Sequence, residues 1–437
     1  MHRFKASFHA FLLIILGLVF ALLTLELALW LTPDVWWKGW ISKSPARYQL
    51  YQSHPNIGWV HVPNARVVWQ GSGEYQVPVT TNSLGLRDRE RRYEKDEATF
   101  RILLLGDSFA DGIEVALPDI FSLKLERCLA ERANRPVEVI NSGTGSYSPG
   151  DELLFYLHEG VKYRPDLVLS AVFVGNDITD MERAIDDNMI QSFGGYQFYL
   201  EDGQLAKRWI EWASPETPLP FPEAMLRRYS RLYYIFQAPD SRVRRLVQEK
   251  LAGWGLTQEA GSAAQAEQDS PLPEYAADEY LIIFAKNFPD NEVIAPRIKE
   301  LWALFQAVYR ELDQAVSHQD RQLAVILLPR AAQVHPQMYD RFAAEFLGRY
   351  PSLDQSDWAN WDLNAPNVAM HRFFSENNIP MFDLLPGFRA YAQSHPDLLY
   401  YQEDIHFNEK GHQLTADLTC DWLVSGGLVP LGLDESQ

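Results

Sequence analysis

The sequence predicts an α/β protein on a doubly wound, five-stranded parallel sheet. Three observations predict it. Short apolar runs recur at Ile102–Leu105, Val137–Ile140, Leu167–Val174 and Leu323–Leu328, with a weaker fifth at Pro380–Leu384. Such runs fit strands buried on both faces of a sheet. Amphipathic stretches such as 297–316 separate them, as crossover helices do. The first three runs each lead into a turn rich in Gly, Ser, Asn or Asp, where open α/β sheets bind ligands.

The chain has 437 residues, enough for two or three domains or one large domain with an insertion. Hydrophobic residues make up 47% and charged residues 22%, which excludes wholesale disorder. Lys and Arg number 39 against 58 Asp and Glu, a net charge of −19. So negative a chain is a poor partner for phosphate backbones, and no nucleic-acid partner is expected. Cys128 and Cys420 are too few for a disulfide framework or a Cys-based zinc site. No phosphate-binding glycine motif appears, so neither a nucleotide cofactor nor a metal is expected.

Residues 1–9 read as a short cytoplasmic tail and 10–32 as a transmembrane anchor in contact with the lipid bilayer. Ala10–Leu31 is apolar with Glu26 as its one charge. At 1.5 Å per residue it spans roughly 33 Å, enough for a bilayer core. A cleaved signal peptide and a buried soluble helix are the alternatives. Against cleavage, bulky Trp30, Pro33, Trp36 and Trp37 stand where small residues are needed. Trp30, Trp36, Trp37 and Trp40 suit an interfacial belt. Arg3 and Lys5 before the span nearly balance Lys38, Lys43 and Arg47 after it. The short tail and long following domain favour a signal-anchor with the domain outside the cytoplasm. Glu26, little more than a turn from the boundary, is expected to snorkel or pair.

Residues 33–100 read as a lead-in with extended runs at Ala65–Trp69 and Tyr75–Thr81. The main domain follows at 101–425, with a large insertion at about 178–320 after the third strand, and 426–437 form a tail. Within the insertion, Phe198–Leu205 reads as a hairpin turning at Asp202-Gly203. The Ala-, Gly- and Gln-rich stretch 257–279 reads as a mobile loop.

Four segments carry chemistry. In RILLLGDSF (101–109) a strand ends in Gly106-Asp107-Ser108, a place suited to a serine nucleophile. NSGTGSYSP (141–149) lets backbone N–H groups approach a substrate oxygen. In VFVGNDITD (172–180), Asn176 can offer its amide to an oxyanion. In EDIHFNEKGH (403–412), His406 has a carboxylate two residues earlier and Asn408 as a helix cap. Taken alone, each is an ordinary turn, cap or surface pair.

Together and in this order they resemble the four blocks of the SGNH (GDSL-type) hydrolase superfamily. The stretch Asn82–Glu90 (NSLGLRDRE) also resembles membrane-anchored bacterial members, which include esterases and acetyltransferases. The resemblance covers about 80–180 and 320–425. It implies a flavodoxin-like sheet and a Ser108–His406 pair completed by an acid. The family acid stands three residues before the His, where this chain has Glu403; Asp404 matches the D-x-H-x-N-x-x-G-H pattern of some anchored relatives. Asp404 is the first choice and Glu403 the substitute. The oxyanion glycine of the family aligns with Ser146, so Gly143 or Gly145 can have shifted in, or the Ser146 N–H can serve. The implied oxyanion hole is Ser108, Gly145, Ser146 and Asn176.

The expected activity is a carboxylic ester hydrolase acting on O-acyl, above all O-acetyl, groups of carbohydrate. The alternatives are an O-acetyltransferase modifying an exopolysaccharide and a non-catalytic carbohydrate-binding scaffold. Arg330 and Gln333, just past the fourth strand, are candidate substrate contacts. Trp358 and Trp361 can stack on sugar or simply pack their loop. Cys128 and Cys420, on helices that start beside the site, are expected to be neighbours that can form a disulfide, with two independent buried thiols as the alternative.

Overall fold

In the computed structural model the five apolar runs become β1 (Phe100–Gly106), β2 (Val137–Asn141), β3 (Leu167–Phe173), β4 (Gln322–Leu328) and β5 (Met381–Asp383). They pair in parallel in the order β5-β4-β3-β1-β2. The register sets Leu104 beside Asn141, Gly106 beside Ala171 and Leu328 beside Phe173. The carboxyl ends of β1, β2 and β3 therefore share one edge of the sheet. The structure describes residues 2–32, 45–71, 73–182, 188–210, 230–237, 287–290, 296–349 and 361–431, and the single positions 226, 243, 246, 247 and 250. The stretch 257–279 and Trp358 lie outside the described residues.

Every residue of β1 and β3 is buried, which is why these strands read as unbroken apolar runs. On one face, Ile102, Leu104 and Leu169 pack with Phe121, Leu125 and Leu129 of helix Phe121–Ala133 and with Ala416, Cys420 and Leu423 of helix Glu409–Ser425. On the other, the Ser170 hydroxyl reaches Tyr309 of helix Pro296–Ser317 and Glu152 of helix Pro149–His158. Helix Pro296–Ser317 buries Ile298, Leu301, Phe305, Val308, Tyr309, Leu312 and Val316, the three-and-four spacing of one helical face. Truncating fully buried Phe305 to alanine there costs about 3–5 kcal/mol.

The chain forms two compact units, one of 53–183, 196–209 and 263–437, the other of 1–52, 184–195 and 210–262. The first holds the sheet and two hairpins. Arg66–Gly71 pairs antiparallel with Tyr75–Thr80. Gly195–Glu201 and Gln204–Ile210 turn through Asp202 (φ 50°) and Gly203 (φ 78°). Two successive left-handed residues are what a two-residue hairpin turn needs.

In the second unit, helix His2–Leu31 contains Leu12–Leu31, long and apolar enough to cross a membrane and unburied. A signal sequence has the same properties. Glu26 is paired within this unit. Its carboxylate accepts from the Arg231 N–H at 2.6 Å, and from the Ser230 hydroxyl and the Leu232 N–H at 3.0 Å. The Arg231 guanidinium in turn donates to Thr32 O at 2.9 Å and lies 5.0 Å from the centre of the Trp30 ring.

Candidate active site

Strand β1 delivers Ser108. After Gly106 the chain turns sharply into the short helix Ser108–Asp111, capped by Asp107, whose Oδ1 accepts the Phe109 N–H at 2.9 Å. Ser108 is the first helical residue, so its N–H has no acceptor inside the helix. A Cβ on Gly106 would stand 2.7 Å from that of Ala110, so glycine lets the helix fold back on its strand. The strand order puts this turn where the winding of the sheet reverses, between β1 and β3, the ligand-binding crevice of such sheets.

His406 meets Ser108 from the loop before helix Glu409–Ser425. Its Nε2 lies 2.7 Å from Ser108 Oγ. Its Nδ1 is hydrogen-bonded to Asp404 Oδ1, which also accepts the His406 backbone N–H at 3.0 Å. This assigns the Nδ1–H tautomer and leaves Nε2 to accept the serine proton. The Phe109 and His406 ring centres are 4.9 Å apart, and Phe109 stacks at 3.9 Å on Phe173 from β3. Just beyond, Asn408 Oδ1 caps the helix by accepting from Lys410 and Gly411 N–H groups at 3.0 and 3.1 Å. Glu403, the substitute acid, is exposed and pairs with Arg341 at 2.8 Å.

The lead-in holds the acid in place, which no motif signalled. Glu74, at the tip of hairpin 66–80, accepts three successive N–H groups: Gln402 at 2.6 Å, Glu403 at 2.8 Å and Asp404 at 2.9 Å. The adjoining Tyr75 hydroxyl donates to Asp404 Oδ2 at 2.8 Å. Arg87, inside the NSLGLRDRE stretch, is fully buried. It donates to the carbonyls of Asp111 at 2.7 Å, Gly112 at 2.6 Å and Val115 at 2.5 Å, fixing the turn that follows Ser108. That turn carries Glu114, 3% exposed, whose Oε1 is 3.5 Å from His406 Nδ1.

These contacts set the charges. Burial lowers the His406 pKa, but Glu114 and Asp404 outweigh it and push the ring up to about 9. Burial raises Asp404, yet its bonds from His406 and Tyr75 bring it down to about 2. Burial raises Glu114 to about 7 and Asp107 to about 6. The site therefore holds an ionised acid behind a strongly basic imidazole, with two further carboxyls that titrate close to neutral pH.

The loop after β2 closes against the Ser108 turn. A Cβ on Gly143 would stand 2.4 Å from the Asp111 nitrogen. The Gly145 N–H donates inward to Asp111 Oδ2 at 3.1 Å, an oxygen that also contacts His61 Nε2 at 3.1 Å. This corrects the expectation for Gly145, whose N–H is committed to a buried carboxylate. Ser146 is the one exposed residue in 141–150 and has φ 64°, a conformation that favours glycine. Trp59 Nε1 donates to Gly145 O at 3.1 Å, and the Tyr147 hydroxyl to Trp59 O at 2.6 Å, so the lead-in pins this loop too. Asn176, past the end of β3, gives one amide hydrogen to Asp180 at 2.8 Å. An amide nitrogen carries two, which leaves one donor.

The remaining candidates fall differently. Gln333 is buried and spends its amide internally, accepting from Arg330 N–H at 2.7 Å and donating to Leu363 O at 2.6 Å and Asn367 Oδ1 at 2.8 Å. It bridges the cap of the following helix and the 361–367 segment, which claim both ends of its amide. Arg330 lies 4.7 Å above the centre of the Phe342 ring. Trp361 is half-buried shortly before helix Ala365–Glu376. Cys128 and Cys420 form a disulfide with Cα atoms 6.3 Å apart, joining helices Phe121–Ala133 and Glu409–Ser425. Among the described residues, no group of three or more His, Cys, Asp or Glu is arranged to hold a metal ion.

No protein-family model matches the chain, and no curated protein matches it. Among solved structures it is similar to the acetyl xylan esterase AlAXEase, at 12% identity and a TM-score of 0.35, over 74% of this chain and 99% of that one. It is similar to the lipase/acylhydrolase from Enterococcus faecalis at 13% identity and a TM-score of 0.35, over 77% of this chain and 100% of that one. It is also similar to a catalytic mutant of an acetylxylan esterase from Geobacillus stearothermophilus, at 11% identity and a TM-score of 0.34, over 74% of this chain and 93% of that one.

Proposed function

We propose that the protein is a serine esterase that removes O-acyl, above all O-acetyl, groups from carbohydrate, held at a membrane by residues 10–32 with its catalytic unit outside the cytoplasm. The observation that carries the chemistry is the 2.7 Å contact between Ser108 Oγ and His406 Nε2, with Asp404 on the opposite ring nitrogen. The Ser108 oxygen attacks the ester carbonyl, and its proton passes to His406 Nε2. The C=O electron pair moves onto the oxygen, which the Ser108 N–H, the Ser146 N–H and the second Asn176 amide hydrogen stabilise. As the carbonyl re-forms, the alcohol leaves with the proton from His406 and an acyl-enzyme remains. Water, deprotonated by His406, then attacks the acyl carbon, and the acid leaves as the bond to Ser108 Oγ breaks and that oxygen takes the proton back from His406.

The Cys128–Cys420 disulfide supports the compartment, because such bonds persist outside reducing cytosol. The apolar helix and Glu26, sheltered by Ser230, Arg231 and Leu232, support an anchor in lipid. Purified full-length protein is to be assayed for acetate release from p-nitrophenyl acetate and from acetylated oligosaccharide, beside Ser108→Ala. Release by the parent and none by the variant is the expected result. Transfer of acetyl onto added oligosaccharide with little free acetate would make the enzyme an acetyltransferase. No turnover of any ester by the parent would leave a binding scaffold.

A further inference from the structure

Asp404 is not the only carboxylate at the His406 ring. Glu114 comes from the turn after Ser108 and places Oε1 3.5 Å from the same Nδ1. It is 3% exposed, and its Oε2 has no hydrogen-bond partner among the described residues. A buried carboxylate with one oxygen left unsatisfied is costly unless a positive charge faces it. The one that can form there is the imidazolium. Glu114 is also held firmly: Arg87 binds the carbonyls of Asp111, Gly112 and Val115 around it, and the Tyr401 hydroxyl donates to its own carbonyl at 3.0 Å.

We propose that Glu114 is a second positioning carboxylate of His406, which stabilises the imidazolium formed when Ser108 gives up its proton. This rests on the reading of Ser108 and His406 as the catalytic pair. Asp404 fixes the tautomer through a hydrogen bond, and Glu114 adds charge without taking the proton. The Ser108 proton ends on Nε2, the Nδ1 proton stays on the ring, and Glu114 exchanges none. The groups facing the ring are Asp404 on its own loop, Asp107 on the Ser108 turn, Glu114, and His412 on the following helix, while Asp111 faces Glu114 and Asp107. Tyr75 and Tyr401 face Glu114 and Asp404. Burial, with Arg87 and His406, holds His412 down at about 3, so it adds no charge near neutrality. Burial keeps Glu114 near 7, so its charge and that of the imidazolium arise over neighbouring pH ranges.

The test uses full-length protein in detergent micelles. The His406 ring is titrated by NMR in the parent, in Glu114→Gln and in Glu114→Asp, and the pH profile of kcat/KM on p-nitrophenyl acetate is recorded for each. Gln keeps the shape of the side chain and removes its charge. The expected result is a His406 midpoint lowered by about one unit or more in Glu114→Gln, with the acid limb of kcat/KM moving the same way. Glu114→Asp keeps the charge at a longer reach and should fall between the two. If Glu114→Gln does not fold, an unchanged midpoint in Glu114→Asp overturns the proposal and a lowered one supports it. A parent that turns over no ester while Glu114→Gln still lowers the midpoint refutes the esterase and keeps the Glu114 assignment. An active parent whose midpoint is unmoved by both variants refutes the assignment and keeps the esterase.

Discussion

The Tyr75 hydroxyl donates to Asp404 Oδ2 at 2.8 Å, so a residue of the lead-in hairpin orients the acid behind His406. Asp404 has two oxygens to satisfy: Oδ1 serves His406, and Tyr75 occupies the other. Without Tyr75 the carboxylate is free to rotate, and the Nδ1 bond loses its geometry. A hydrogen bond to a charged group contributes about 1.5–3 kcal/mol. Tyr75→Phe should therefore lower kcat roughly ten-fold to one-hundred-fold with KM nearly unchanged. A KM effect with kcat intact would mean that Tyr75 touches substrate instead.

The same loop separates Asp404 from Glu403. Asp404 faces His406, whereas Glu403 faces Arg341 at the surface. Asp404→Asn should cut kcat/KM by several orders of magnitude, because the amide favours the wrong tautomer. Glu403→Gln removes an exposed ion pair of the kind that contributes about 0–1 kcal/mol, and activity should stay within two-fold. Measuring kcat/KM for both variants decides the acid, and a larger loss in Glu403→Gln would overturn the choice of Asp404.

Much of this was legible in the sequence, for physical reasons. Strands β1 and β3 are buried on both faces, so their apolar runs stood out. The hairpin at Asp202-Gly203 was marked by residues that tolerate left-handed backbone. Ser108, Asn176 and His406 were singled out because each stands at a strand end or before a helix in a recognisable block. Glu74, Tyr75 and Glu114 carried no such mark. They act through contacts between parts of the chain hundreds of residues apart, and neither periodicity nor local motif encodes those. Arg87 stood in a conspicuous stretch, but its work on the 111–115 turn is a matter of three-dimensional closure. The internal partners of the Gly145 N–H and the Gln333 amide were hidden for the converse reason, since position in a loop does not reveal whether a polar group is already claimed from within.

Activity should depend steeply on pH. Burial lowers the His406 pKa, but Glu114 and Asp404 lift it to about 9, and only the neutral ring accepts the Ser108 proton. kcat/KM should rise about ten-fold per pH unit below that value and level off near it. Stability should move the opposite way. A base raised above its ordinary 6.5 contributes stability that is fully present below 6.5 and lost as pH rises through about 9. Glu114, raised by burial to about 7, likewise loses stability as pH rises from its ordinary 4.5. Between pH 6.5 and 9 the Tm should fall while kcat/KM climbs. A kcat/KM maximum at pH 6, or a Tm that rises across this range, would contradict the assigned charges.

The disulfide should matter for holding the two halves of the site together. Helix Phe121–Ala133 follows the Ser108 turn, and helix Glu409–Ser425 begins three residues after His406. Cys128–Cys420 joins them across 292 residues of sequence. Two weaker ties run alongside: His412 Nδ1 accepts the Phe121 N–H at 3.3 Å, and Lys124 reaches Gln413 at 3.0 Å. Closing so long a loop restricts the unfolded chain, and a native disulfide typically contributes about 2–4 kcal/mol. For a unit of this size that corresponds to a Tm lower by roughly 3–6 °C in the paired variant Cys128→Ser/Cys420→Ser, or after reduction. Below the new Tm, KM should be unchanged, because neither sulfur reaches the site. Thermal unfolding with and without reductant, beside thiol alkylation counted by mass spectrometry, checks both parts. Two alkylated thiols before reduction, or a Tm unmoved by it, would show that packing of the two helices suffices without the bond.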